Sequence, residues 1–173
     1  MGGRLSPRML VVRRKSMSVT QTAFLEKSSV PDRAKLEGAV RALGFDLSIG
    51  EFPFASSGFL PCILRGKESG VEIRFETPEE EFRYFPHLKE KIGHRDTAIR
   101  FRWADDMAEC ACALIVSAAL ATRFGAIVQE DRGKVYTQER LLRAVKEADE
   151  LAQAPDPLLA PTPRRKSWWK FWE

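Results

Sequence analysis

The chain has 173 residues, 44% of them apolar and 30% charged, which fits one domain with its own core and excludes a collagenous, disulfide-stapled or wholly disordered polypeptide. Its formal net charge of +4 first points to nucleic acid or an anionic membrane. The charge is unevenly placed, however: residues 17–153 hold 19 basic against 22 acidic side chains, so a mildly acidic body is expected and nucleic-acid binding loses its main support.

Residues 1–16 carry Arg4, Arg8, Arg13, Arg14 and Lys15 with no acid and no helical or strand periodicity. They read as a disordered basic N-terminal extension, and Met17, followed by a strand-like run, reads as the natural start of translation. The apolar run at residues 9–12 is too short for a signal peptide, and no small-residue cleavage site accompanies it. Cys62, Cys110 and Cys112 form an odd set without a CxxC pair. A disulfide framework is therefore not expected, and a reducing cytoplasm is the expected compartment.

The expected globular body spans residues 17–153. Val19 to Leu25 is β-prone. Pro31-Asp32 then opens a helix in which Leu36, Val40 and Leu43 share a face, and Gly44 stops it. Phe45, Leu47 and Ile49 alternate with polar residues, the period of a half-buried strand. Residues 59–64 and 71–76 read as a hairpin joined by residues 65–70; Val71, Ile73 and Phe75 lie on one face and Glu72, Arg74 and Glu76 on the other. Such alternation predicts a sheet with a wet face, which favours antiparallel pairing.

Thr77-Pro78-Glu79-Glu80 has helix-start chemistry and predicts a short helix through Tyr84, whereas Pro86 and Gly93 argue against a helix between His87 and His94. Thr97 to Trp103 is again a strand, with Ile99, Phe101 and Trp103 inward and Arg100 and Arg102 outward, where cross-strand pairs with Glu72 and Glu76 are expected. Asp106 and Glu109 suit a capping box. From Cys110 to Ala121 only Ser117 is polar, and Gly125 marks the end. A helix apolar all round is buried, and twelve residues are too few for a bilayer, which needs about 20. Residues 126–129 and 135–136 form a second hairpin candidate, and Thr137 caps a last helix striped by Leu141, Val145, Ala148 and Ala152. The fold class predicted is α+β: a single domain with an antiparallel or mixed sheet, helices packed on one face, and one fully buried central helix.

No phosphate-binding glycine loop is present: Gly66-Lys67 lacks both the earlier glycine and the following Ser or Thr of a P-loop. Cys110 and Cys112, two apart on a helix, point about 200° from each other and read as core side chains rather than metal ligands. His87 and His94 read as solvated loop histidines, so no metal, cofactor or catalytic residue is assigned. Glu79, Glu80 and Glu81 are the densest acidic cluster. They read as a solvated helix start or as a patch that steers a basic partner.

Beyond the body, residues 154–163 form a proline-rich linker. A basic and aromatic tail comes next, with Arg164, Arg165, Lys166, Trp168, Trp169, Lys170, Phe171 and Trp172. Its indoles and cations suit a bilayer interface as a weak, reversible contact; docking on a partner or folding back on the domain are the other two readings.

Residues 57–62, Gly70-Val71-Glu72, the buried Ala-rich helix with Gly125-Ala126-Ile127-Val128, and residues 131–136 together resemble small uncharacterised bacterial cytosolic proteins, some of which look like immunity proteins encoded beside polymorphic toxins, including those delivered by type VI secretion. The resemblance covers about residues 18–150. It implies a non-enzymatic, cytoplasmic inhibitor that occludes the active site of a cognate toxin, and carries over no contact residues; loops 50–58, 77–96 and 130–134 are the contact surface expected of this chain itself. Glu79, Glu80, Glu81 and Arg132 are the candidate partner-binding residues on those loops. The alternatives are a membrane-surface or complex-docking adaptor acting through the tail, and a small enzyme using His87 or His94.

Overall fold

A computed structural model describes residues 19–51, 56–130 and 132–154. The expectations for the extension at 1–16, for the linker and for the tail lie outside the described residues. Six strands form one antiparallel sheet in the order β2-β3-β4-β5-β1-β6: β1 Val19–Leu25, β2 Leu47–Ile49, β3 Gly58–Leu64, β4 Lys67–Glu76, β5 Thr97–Trp103 and β6 Ile127–Glu130. The helices are α1 Arg33–Ala42, α2 Glu79–Tyr84, α3 Leu88–Ile92, α4 Met107–Arg123 and α5 Gln138–Gln153, with a single 3₁₀ turn at Lys27–Ser29.

The period of two assigns each strand residue to a face. Ala23, Leu25, Ile73, Ile99, Phe101 and Val128 point to the main core, where α4 lies on the sheet with α1 and α5 alongside it. Every residue from Cys110 to Leu120 is buried, so α4 is the central helix that its unbroken apolar run predicts. The Asp106 carboxylate accepts from the N–H of Ala108 (2.7 Å) and of Glu109 (3.1 Å). Glu109 reaches back to the Ala104 N–H (3.1 Å), a variant of the predicted capping box. Inside the helix, the Ser117 hydroxyl donates to the Ala113 carbonyl (2.7 Å), which satisfies its one buried polar group.

The sheet's second face is divided into three lanes. Over β6, β1 and β5 lie α2 and α3, held by a small second core of Phe24, Leu88, Ile92 and Ala98. These two helices add to the predicted architecture, which placed helices on one face alone. Next comes a ladder of charged side chains on β4 and β5. Last, on β3, Phe59 and Ile63 are 56% and 46% exposed.

Two local expectations change. The β3–β4 connection is a two-residue turn, Arg65-Gly66, with Leu64 paired to Lys67, where a six-residue connection was predicted. Positive φ at both turn residues (51° and 76°) matches the strand twist as a type I′ hairpin requires, and glycine supplies the second at no steric cost. Between His87 and His94 there is a helix after all: Pro86 precedes α3 and Gly93 caps it, so the two residues bracket the helix instead of breaking it. The second hairpin is present only as a single bridge between Gln129 and Val135. No helix among the described residues is long and apolar enough to cross a membrane.

Candidate functional site

The second face carries a cluster of buried and paired polar side chains. In register, Arg74 stands directly opposite Arg100, and Glu72 opposite Arg102. Like charges facing each other across strands are unfavourable unless neutralised. Glu76 meets both arginines, at 3.0 Å from Arg100 and 3.7 Å from Arg74, and Arg102 pairs with Glu72 at 3.4 Å. The cross-strand pairs expected from the alternation are thus formed.

A further carboxylate arrives from above. α2 has no side-chain cap; the Pro78 carbonyl accepts from the N–H groups of Glu81 (3.0 Å) and Phe82 (3.2 Å), while Glu79, Glu80 and Glu81 occupy the positive end of its dipole. The three acids, 100° apart around the helix, do not share an environment. Glu79 and Glu80 are exposed, whereas Glu81 is 6% exposed and turned onto the sheet. That corrects its place in a solvated acidic patch: Glu81 Oε1 is paired with Arg100 and accepts from Thr22 Oγ1 (3.5 Å), and its Oε2 accepts from Gln129 Nε2 (3.3 Å). A carboxylate buried this deeply requires such partners.

Beside this quartet is a cleft of about 310 Å³, lined by Thr20, Thr22, Tyr84, Phe85, Arg100 and Gln129 among others. Gln129 Oε1 is buried without a hydrogen-bond partner among the described residues. Tyr84, one turn after Glu80, is 74% exposed at the edge of the cleft. The turn carrying Arg132 is drawn to the same edge: His87 Nε2 lies 2.9 Å from the Gly133 carbonyl, and the Phe85 ring packs so closely on Gly133 (φ 75°) that a side chain there would collide with it. The segments carrying α2–α3 and Arg132 are therefore brought together through Phe85, His87 and Gly133, with Tyr84 lining the cleft and Glu79, Glu80 and Arg132 exposed on the same two segments. Ser57, from the third predicted loop, donates no side chain to that cleft; its hydroxyl accepts from the Phe75 N–H (2.9 Å).

The histidines are far apart in role. His94 Nε2 is 2.6 Å from Glu26 Oε1 at the surface, and His87 holds the Gly133 turn. Among the described residues no three His, Cys, Asp or Glu side chains are grouped as metal ligands. The cysteines are core residues. A hydrogen bond with Cys112 and burial hold the Cys62 thiol well above its ordinary range, and burial pushes Cys110 up to about 12. The same hydrogen bond lowers Cys112, but all three thiols are buried, so the folded chain is expected to react with a thiol reagent at pH 8 at least ~100-fold more slowly than the urea-unfolded chain. Stoichiometric labelling within the mixing time would contradict this burial.

Residue patterning alone missed Arg100 as the partner of Glu81, and missed Thr22, Gln129 and Tyr84. The usable signal was a polar residue interrupting an apolar strand: Gln129 after Ile127-Val128, and Thr22 before Ala23-Phe24. No protein-family model, curated protein or solved structure matches the chain.

Proposed function

We propose that this chain is a non-enzymatic binding protein that neutralises a cognate bacterial toxin in the cytoplasm by covering its active site with the α2 rim. The observation that carries the reading is a cleft lined by Glu81, Tyr84, Phe85 and Glu130, with the Gly133 turn packed on Phe85 and the buried, unpartnered Gln129 oxygen in its wall; Glu79, Glu80 and Arg132 are exposed on the same two segments. An exposed tyrosine flanked by carboxylates is the composition of an interface anchor, and the cleft beside it offers acceptors to an inserted lysine or arginine. A basic toxin surface, of the kind that grips an anionic substrate, is the complement. The rim rests on a six-stranded sheet, so it is presented rigidly and little ordering cost accompanies binding.

The test is affinity purification of the tagged full chain from its native lysate, in parallel with the variant E79K/E80K/Y84A. One stoichiometric partner is expected, toxic to cells when expressed alone and harmless when co-expressed with the chain. Loss of the tyrosine anchor and reversal of two charges should weaken that complex about 100-fold. Failure to recover a stoichiometric partner from cells expressing both, or equal affinity of the triple variant, would refute the reading.

A further inference from the structure

The rim leaves a different surface of the sheet unexplained. On the outer face of β3, Phe59, Pro61 and Ile63 stand side by side, the first and last about half exposed, in a lane that α2 and α3 do not reach. Pro61 is opposite Gly70, where the Phe59 ring lies over a backbone that has no room for a side chain: a Cβ would fall 2.6 Å from the Leu60 carbonyl oxygen. Across the ladder, Ile63 faces Glu68 and Phe59 faces Glu72, so the apolar lane has an acid at each end. An exposed apolar strip of this kind is a surface on which a complementary apolar segment can dock.

The end of α5 fixes where the following segment of the chain begins. Arg65, two residues after Ile63, grips Asp149 near the end of α5 with both arms of its guanidinium, Nε to Oδ1 at 3.1 Å and an NH2 to Oδ2. The last turn of α5 therefore lies beside the Arg65-Gly66 turn, at the end of the strip where Ile63 sits. Because α5 lies on the core face, residues 155–163 must first round the end of the sheet, roughly 10 Å, and their greatest span of roughly 30 Å then still reaches Ile63, from which residues 164–173 can run on along β3. That segment carries Arg164, Arg165, Lys166, Trp168, Trp169, Lys170, Phe171 and Trp172, four cations and four aromatic rings.

We propose that residues 164–173 dock in cis on the outer face of β3, the aromatic rings covering Phe59, Pro61 and Ile63 and the cations meeting Glu68 and Glu72. A short tether gives an effective concentration on the order of 1 mM, so a segment whose separate peptide binds with a Kd of ~100 μM would be about nine-tenths docked. Ring faces on Phe59 and cations beside carboxylates each add modestly, which is what a reversible intramolecular cover requires. The docked segment shields the lane without touching the α2 rim, so partner binding and tail docking are separable.

The test monitors the Ile63 methyl signal by NMR in three chains: full length, a truncation after residue 163, and the truncation with added synthetic peptide of residues 164–173. The expected result is an aromatic ring-current shift in the full chain that is independent of protein concentration, is lost on truncation, and returns saturably with peptide. Phe59→Ser should weaken the peptide at least 10-fold, whereas E79K/E80K should leave the Ile63 signal unmoved. An Ile63 signal indifferent to truncation overturns the proposal. So does a shift that grows with protein concentration, which assigns the strip to a second copy, or binding of the full chain to phosphatidylglycerol vesicles through residues 164–173 with Ile63 unchanged, which assigns the segment to lipid.

Discussion

Arg100→Ala is expected to lower folding stability by about 3–5 kcal/mol, the range for breaking a buried charge pair by removal of one partner. One guanidinium nitrogen serves both Glu76 and Glu81, whose side chains are 14% and 8% exposed, and Arg100 itself is well covered. Without it, two carboxylates share a poorly solvated site, with only the hydrogen bonds from Thr22 and Gln129 and the more distant Arg74 to offset them. Solvent reaches each of these carboxylates less than it reaches an ordinary surface pair, so screening does not rescue them. Glu81→Gln should be milder, because Arg100 keeps Glu76 and the amide can still meet Thr22 and Gln129. The double variant R100M/E81Q should recover much of the loss, since replacing both members of a buried pair removes the stranded charge. Urea unfolding of the four chains, followed by far-UV circular dichroism, gives the coupling directly. A loss below about 1 kcal/mol for Arg100→Ala would mean that Glu81 is not held by charge.

The same site shows where sequence reading stops. Alternation in Glu72-Ile73-Arg74-Phe75-Glu76 and Ile99-Arg100-Phe101-Arg102-Trp103 discloses two strands, their inward faces and the ion pairs between their outward faces, because all of that comes from a period of two. Asp106 and Gly125 likewise mark both ends of α4, since caps are local chemistry. The inward turn of Glu81 is not local. It depends on which strands lie beneath α2, and three consecutive glutamates look alike until that packing is known. Residues 67–70 were hidden for another reason: Lys67-Glu68-Ser69-Gly70 has no apolar partner set, so a strand at the end of a hairpin has the composition of a loop. In α3 the signal was present, as Leu88 and Ile92 stand four apart, but Pro86 and Gly93 read as breakers when they are boundaries.

The second core makes the rim a separable unit of stability, and Leu88→Ala tests this. α2 and α3 have six and five residues, far too few to persist as isolated helices, so their order comes from docking. That docking rests on Phe24, Leu88, Ile92 and Ala98, all fully buried, with Phe82, Phe85 and Val135 packed around them. Leu88 belongs to the cluster against which Phe82, Phe85 and Val135 pack, so truncating it leaves a cavity beneath the α2–α3 corner. A buried Leu→Ala change costs about 2–5 kcal/mol, the higher part where the surroundings cannot collapse. Here the cost falls on the second face, because α4 and the main core lie on the opposite side of the sheet. Native-state hydrogen exchange should therefore show the amides of Phe85, Leu88 and Lys89, which bond within this segment, exchanging about 100-fold faster, while those of Cys110 in α4 and Phe124 at its C-cap change little. The rim built from Glu79, Glu80 and Tyr84 would lose its shape along with them, and affinity for a partner should fall even though the sheet persists. Equal acceleration in α4 would show instead that both faces unfold as one cooperative unit, and that the rim has no independent stability to lose.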